Sequence, residues 1–224
     1  LEAVGLFESQ EEIDRSPIQF SEGNHSRLRP GDIKYRDLNG DGVIDDYDKM
    51  PIGFCDIPEI TYGFGGAIEW KGFDVSIFFQ GTARVSLFEE GSTIVPFSSG
   101  YKNNDGFLRG VMENRWTVDN PDPNARYPRT IRPSDALDNN NTKKSSFWVR
   151  NAAFLRLKNA EIGYTFPKRW MEKMAIQNLR LYVSGVNLLT WAPDVHLFDP
   201  DLGSGDGRKY PPTRVFNVGL NINF

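Results

Sequence analysis

Arg214-Val215-Phe216-Asn217-Val218-Gly219-Leu220-Asn221-Ile222-Asn223-Phe224 decides how the rest of the chain is read. Strand side chains alternate between faces with a period of two. Phe216, Val218, Leu220, Ile222 and Phe224 therefore point one way, and Asn217, Gly219, Asn221 and Asn223 point the other. One face is oily and the other is amide-polar. Such a strand suits lipid outside and water inside, with an aromatic at the boundary. The last strand of a soluble sandwich would alternate in the same way, so the remaining segments must discriminate.

Moving back along the chain, Ile60, Tyr62, Phe64, Ile68 and Trp70 share a face, while Thr61, Gly63, Gly65, Ala67 and Glu69 share the other. The second face is too small and polar to be a core. Lys71-Gly72 reads as a tight turn, after which Phe73, Val75, Ile77 and Phe79 resume the apolar side, giving a hairpin. Residues 154–167 read as a strand whose apolar face slips between Leu155/Leu157 and Ile162/Tyr164/Phe166, which predicts a bulge around Lys158-Asn159. Residues 168–177 predict a brief helical turn with Trp170, Met171 and Met174 on one side, and residues 179–189 a further strand.

Three stretches carry no such pattern. Residues 1–59 are expected to be loop-like, apart from fragments at Leu6-Phe7 and Ile18-Gln19-Phe20. Residues 83–153 are expected to be irregular, with a short helix near Phe107 to Trp116, and residues 191–213 a polar loop. Along the chain the connections thus run long, short, long, short, long. Antiparallel neighbours place all long connections at one end of a sheet and all short turns at the other, as in outer-membrane barrels. Trp70, Phe73, Tyr164 and Phe166 fall beside the short turns, where an interfacial aromatic girdle belongs. A soluble sandwich has no reason to sort loops and aromatics this way. The expected fold is all-β, an antiparallel transmembrane β-barrel segment with long extracellular loops.

Composition agrees. No apolar run approaches the roughly 18 residues of a membrane-spanning helix, so a membrane reading requires strands. A net charge of −4 without a basic cluster argues against nucleic acid as a partner. A single cysteine, Cys55, excludes an internal disulfide. The chain opens at Leu1 without a leader-like segment and is read as a piece of a longer polypeptide.

Asp37-Leu38-Asn39-Gly40-Asp41-Gly42-Val43-Ile44-Asp45-Asp46-Tyr47-Asp48 has the spacing of a twelve-residue calcium loop. Asp37, Asn39 and Asp41 take positions one, three and five. Val43 offers its carbonyl at seven, Asp45 sits at nine and Asp48 at twelve. Position twelve normally carries the longer Glu, and no helices flank the loop. A calcium site and an Asx-turn loop that binds nothing both remain open.

Several blocks in order, Gly31 to Asp45, Thr61-Tyr62-Gly63-Phe64, Lys71 to Gly81, Phe154 to Asn159, Gly163 to Pro167 and Leu179 to Thr190, resemble the C-terminal portion of SusC/RagA-type TonB-dependent outer-membrane transporters. The resemblance covers nearly the whole chain. It implies a large closed barrel with an N-terminal plug, opened by the TonB complex and lidded by a SusD-like surface lipoprotein, importing oligosaccharides or peptides in a Gram-negative outer membrane. On this reading all 224 residues belong to the barrel domain, and the plug, the TonB-contacting region and most strands lie upstream. Phe224, with Ile222 and Leu220, resembles the terminal strand read by the barrel-assembly machinery.

No catalytic constellation is present, so an enzyme is not expected. His25 and His196 sit apart in loops, and Gly203-Ser204-Gly205-Asp206-Gly207 lacks the Gly-Lys-Ser/Thr ending of a phosphate loop and reads as a flexible loop. Trp116, Tyr127, Trp148, Trp191 and Tyr210 are candidates for sugar stacking or, alternatively, for packing inside the loops. The competing function is a secreted, calcium-stabilised β-sandwich that binds carbohydrate. It would bury the apolar faces of residues 73–79 and 216–224 against a second sheet.

Overall fold

In the computed structural model, which describes residues 1–19, 28–95, 108–131, 140–171 and 176–224, the hairpin expected at Lys71-Gly72 is formed. Lys71 and Gly72 have φ of 49° and 87°, so both central residues of this two-residue turn are left-handed, as a hairpin matching the strand twist demands. In chain order the strands are β1 (Ala3–Leu6), β2 (Ile18–Gln19), β3 (Ile33–Tyr35), β4 (Val43–Ile44), β5 (Ile60–Trp70), β6 (Phe73–Ala83), β7 (Ser86–Phe88), β8 (Val149–Asn151), β9 (Phe154–Thr165), β10 (Asn178–Trp191) and β11 (Val215–Asn223). The helices are α1 (Gln10–Arg15), α2 (Arg109–Glu113) and α3 (Lys168–Met171). Strands β7 and β8 pair with each other.

Contacts divide the chain into two compact units. The sheet unit comprises Cys55–Ser86, Asn151–Leu202 and Lys209–Phe224; the other comprises Leu1–Phe54, Leu87–Arg150 and Gly203–Arg208.

The sheet unit holds five antiparallel strands in the order β11-β10-β9-β6-β5, so each strand pairs with the next strand of the same sheet along the chain. The short connections, 71–72 and 166–177, leave at one end; the long ones, 84–153 and 192–214, leave at the other. The expected bulge is present: Phe78 pairs with Asn159 and Phe79 with Leu157, leaving Lys158 as the extra residue. This slip returns Leu155 and Leu157 to the same face as Ile162 and Tyr164. Strand β10 answers it with a shift between Val186 and Leu189, where Asn187 takes a left-handed φ of 54°. Asn is among the few side chains that tolerate that region.

In the other unit the fragments expected at Leu6-Phe7 and Ile18-Gln19-Phe20 overlap β1 and β2, and the stretches around them, expected to be loop-like, carry further short strands and a packed core. Strand β1 pairs antiparallel with β3, and β2 pairs parallel with β4. Ser9 caps α1 by accepting from Glu12 N at 3.2 Å, which brings Ile13 onto Phe7 and Leu28 in a buried cluster. The ties that hold this unit are polar and distant in sequence. Asn141 accepts from Ile33 N at 2.9 Å and donates to Asp32 at 2.8 Å, while Asn140 donates to Gln19 and to the Ile33 carbonyl, each at 2.9 Å. Arg129 pairs with the fully buried Asp32 at 2.7 Å, and Tyr35 donates to the Asn140 carbonyl at 2.5 Å. Burial pushes the Tyr35 phenol far above its ordinary range. The segment 203–207 is likewise packed: Gly205 N donates to the Phe88 carbonyl at 2.9 Å, and Ser204 Oγ accepts from Phe88 N at 3.0 Å. The loop expected there is present, tied to β7 by these two hydrogen bonds.

The expected helix near 107–116 is the five-residue α2, with Phe107 outside the described residues. Phe20, His25 and Met174 also lie outside them.

Candidate functional site

The functional surface is the apolar face of the five-stranded sheet, and the register shows how the sequence builds it. Directly opposed residues form rows running across all five strands. Trp70, Phe73, Tyr164, Leu181 and Leu220 make the row nearest the short turns. Ile68, Val75, Ile162, Val183 and Val218 make the next, followed by Gly66, Ile77, Ala160, Gly185 and Phe216. Phe64, Phe79, Leu157 and Leu189 continue it, then Tyr62, Gly81, Leu155 and Trp191. No charged residue interrupts these rows.

These side chains stay open. Ile68 is 74% exposed, Val218 75% and Leu220 54%. Val75, Ile77 and Ile222, which a soluble sandwich would bury, are about 40% exposed or more. The sandwich expectation is therefore not met. A contiguous oily face of this extent marks a membrane or partner surface.

Aromatic rings bound the face at both ends. Toward the short turns, Phe73 and Tyr164 lie 4.6 Å apart, Tyr164 and Phe166 5.1 Å, and Phe166 and Trp170 6.1 Å. This is the aromatic girdle expected from sequence, extended by Trp170 of α3. Toward the long connections, Phe64 and Phe79 stack at 5.2 Å, and Phe79 meets Trp191 at 6.4 Å. From Tyr62 to Trp70 the strand rises about 27 Å at roughly 3.4 Å per residue. Tilted by about 40°, that spans about 20 Å of membrane depth, close to the apolar band of outer-membrane barrels.

The opposite face is built for water. Arg180 bridges Glu161 at 2.6 Å and Asp74, which it also meets through Nε at 3.0 Å. Ser76, Ser184 and Asn217 continue the polar side across the sheet. Phe78 is an apparent exception on this face. Its ring covers Gly63 and Gly65, where a Gly63 Cβ would come within 2.9 Å of the ring, so the aromatic fills space that the glycines leave. Near the long connections, Arg156 is fully buried and pairs with Asp199 at 2.6 Å and Asp201 at 2.9 Å, fastening the 192–214 connection to β9.

The candidate metal residues form a loop closed by its own oxygens. Asp37 accepts from Gly40 N and Gly42 N at 2.7 and 2.8 Å, Asn39 from Asp41 N at 2.9 Å, and Asp41 from Val43 N at 2.8 Å. Asp45 and Asp48 form a reciprocal cap around a single 3-10 turn, and Asp48 also accepts from Leu38 N at 2.7 Å. Among the described residues no three His, Cys, Asp or Glu side chains converge on a common point. The acceptor oxygens face amides, which fits a self-closed turn, and the residues that the calcium spacing singles out, Asp37, Asn39, Asp41, Val43, Asp45 and Asp48, all lie in this one loop. Burial raises the Asp48 carboxyl, but the amides of Asp45, Leu38 and Asn39 outweigh it and hold the group below the usual carboxylate range.

Of the candidate aromatics, Trp116, Tyr127 and Trp148 are buried. Trp191 belongs to the outer aromatic row, and Tyr210 is exposed in a connection. Phe224, 80% exposed, follows β11 at an edge of the described sheet, with Ile222 and Leu220 on the apolar face. The sequence reading missed Asn140, Asn141 and Asp32, whose polar character hid their burial. His196 lies in the 192–214 connection.

No family model matches the chain. A TonB-dependent receptor of Formosa agariphila is 30% identical over 99% of the chain, and the receptor SusC of Bacteroides thetaiotaomicron is 26% identical over 88%. The chain spans 22% and 18% of the length of these relatives. In structure, the chain superposes over its full length on a RagAB peptide importer in its closed-closed state, with a TM-score of 0.63 at 20% identity and 22% of that chain covered. The open-open state gives 0.59. The structural likeness carries the fold, and the sequence likeness to the Formosa agariphila receptor extends over nearly the whole chain. The chain belongs to the SusC/RagA-type TonB-dependent receptors, matching the C-terminal β-barrel segment of that family.

Proposed function

We propose that this chain is the lipid-facing wall segment of an outer-membrane importer that takes up oligosaccharides or peptides with energy from the TonB complex. A SusD-like surface lipoprotein captures the substrate on the side of the long connections. The plug and the TonB-contacting region belong to the rest of the receptor. The observation that carries this reading is the uninterrupted apolar face of β5, β6, β9, β10 and β11, backed by a charged and polar face. A wall between hydrocarbon and a watery lumen needs both. The RagAB structures are those of a peptide importer, which supports a macromolecular nutrient as cargo. Five strands cannot close a wide barrel, so transport belongs to the intact receptor.

Uptake of labelled oligosaccharides and peptides by cells carrying the intact receptor tests the proposal. Uptake is expected to vanish when either TonB or the neighbouring SusD-like lipoprotein is removed, and uptake that persists without TonB overturns it.

Phe224, Ile222 and Leu220 supply the recognition strand for barrel assembly in this reading, because they project from an edge strand with Phe224 most exposed. In the intact receptor, Phe224→Ala is expected to lower the amount inserted in the outer membrane severalfold while leaving synthesis unchanged. Equal insertion of variant and parent refutes the role.

A further inference from the structure

At the short-turn end, three cations stand just beyond the oily face. Lys71 occupies the β5–β6 turn, and Lys168 and Arg169 open α3. All three are exposed, and no carboxylate pairs with any of them among the described residues. The Lys71 ammonium lies 4.7 Å from the centre of the Trp70 ring. The nearby acids are otherwise disposed: Asp74 and Glu161 are held by Arg180 on the polar face, and Glu69 alternates onto that same face. The two cationic segments are fixed to one another, because Thr165 N donates to the Gly72 carbonyl at 2.7 Å. Pro167 then turns the chain into α3, where Trp170 N donates to its carbonyl at 3.0 Å. Between the cations lies the run of rings from Phe73 through Tyr164 and Phe166 to Trp170, with Trp70 and Trp170 66% and 52% exposed.

Toward the long connections two of the cations are placed differently, while Arg214 stands exposed before β11. Arg84 pairs with Glu59 at 2.5 Å, and Arg156 is engaged by Asp199 and Asp201. Among the described residues, exposed cations without a paired carboxylate, aromatic rings and the edge of the apolar band coincide at the short-turn rim.

We propose that this rim is a binding site for an anionic glycerophospholipid. Its acyl chains lie along Phe73, Val75 and Ile162, its glycerol sits at the level of the rings, and its phosphodiester meets Lys71 on one side of the ring run, with Lys168 and Arg169 adding positive charge on the other. Aromatic side chains settle at the headgroup level, and long cationic side chains reach from it to phosphate. A headgroup with net negative charge is favoured because none of the described carboxylates pairs with these cations. The inference rests on the membrane reading above and adds to it a preferred lipid and the residues that select it.

The test uses the intact receptor in nanodiscs of phosphatidylcholine, with and without phosphatidylglycerol, reading melting temperature and the lipids that stay bound after delipidation. The parent is expected to melt several degrees higher with phosphatidylglycerol and to retain it about tenfold over phosphatidylcholine. The variant Lys71→Gln/Lys168→Gln/Arg169→Gln is expected to melt like the parent in pure phosphatidylcholine and to lose both effects. Arg109→Gln, which alters net charge elsewhere, is expected to keep them. A parent indifferent to phosphatidylglycerol, or a triple variant that retains the full shift, overturns the proposal. So does an equal shift from inorganic phosphate added to phosphatidylcholine discs, which marks a site for free phosphate. Failure of the receptor to show heat-modifiable migration in any disc defeats the membrane reading itself, an outcome separate from insertion without lipid preference.

Discussion

Asp48 shows how a single residue can carry a motif's spacing and also tie its own loop together. It is fully buried and accepts backbone hydrogens from Leu38 and Asp45, which links the two ends of the 37–48 loop. Replacing it with alanine strands those donors and is expected to cost about 2 kcal/mol, read as a lower melting temperature of the intact receptor. Glu12, on α1, is also depressed: burial raises it, but the Glu8 amide and Lys34 outweigh that. A carboxyl whose folded value lies below its unfolded one lends stability that is complete above the unfolded value and vanishes as pH falls through the folded one. Both groups therefore predict a melting temperature steady above about pH 5 and falling below about pH 4, with a shallower fall in the Asp48→Ala variant. The same melts with added calcium are expected to show no shift, and a clear rise would return the cation to the loop.

At the scale of elements, the β5–β6 hairpin depends on glycines that allow close approach. A Cβ on Gly65 would lie 2.4 Å from the Ile77 carbonyl oxygen and 3.1 Å from the Phe78 Cα, so the backbone of one strand would have to move. Gly65→Val is expected to cost about 1–3 kcal/mol and to lower the urea midpoint of the reconstituted receptor, whereas Gly66→Ala, with open space around it, is expected to be tolerated. The neighbouring strand shows what a sequence pattern can and cannot reveal. The phase slip in β9 was legible because Leu157 and Ile162 fall on opposite parities, which one extra residue must repair. The matching irregularity in β10 was not, because Val186, Leu188 and Leu189 put apolar residues on both parities just where the register shifts.

At the scale of the whole molecule, the sheet is a boundary between hydrocarbon and water, and a charge at its centre should be intolerable. Val183 sits mid-row between Ile162 and Val218. Val183→Lys is expected to cost about 2–4 kcal/mol at that depth and to diminish the heat-modifiable folded band of the intact receptor. Ser184→Lys, one residue on and facing the polar side, is expected to leave that band in place. If both variants insert equally well, the two faces are not exposed to different solvents.

By itself the amino-acid sequence determined the sheet: alternation set the faces, the Lys71-Gly72 turn set the hairpin, and the sorting of long and short connections set the membrane reading. Period-two patterning is local, and a strand that faces lipid on one side must write it into every other residue. Only the tertiary structure decided the unit formed by residues 1–54 and 87–150. Its strands are too short to show a period, and its buried ties, such as Asn141 with Ile33 and Asp32, join residues about a hundred positions apart. Hydrogen bonding is what makes such polar groups tolerable in a core, and a partner that distant leaves no mark in the neighbouring sequence.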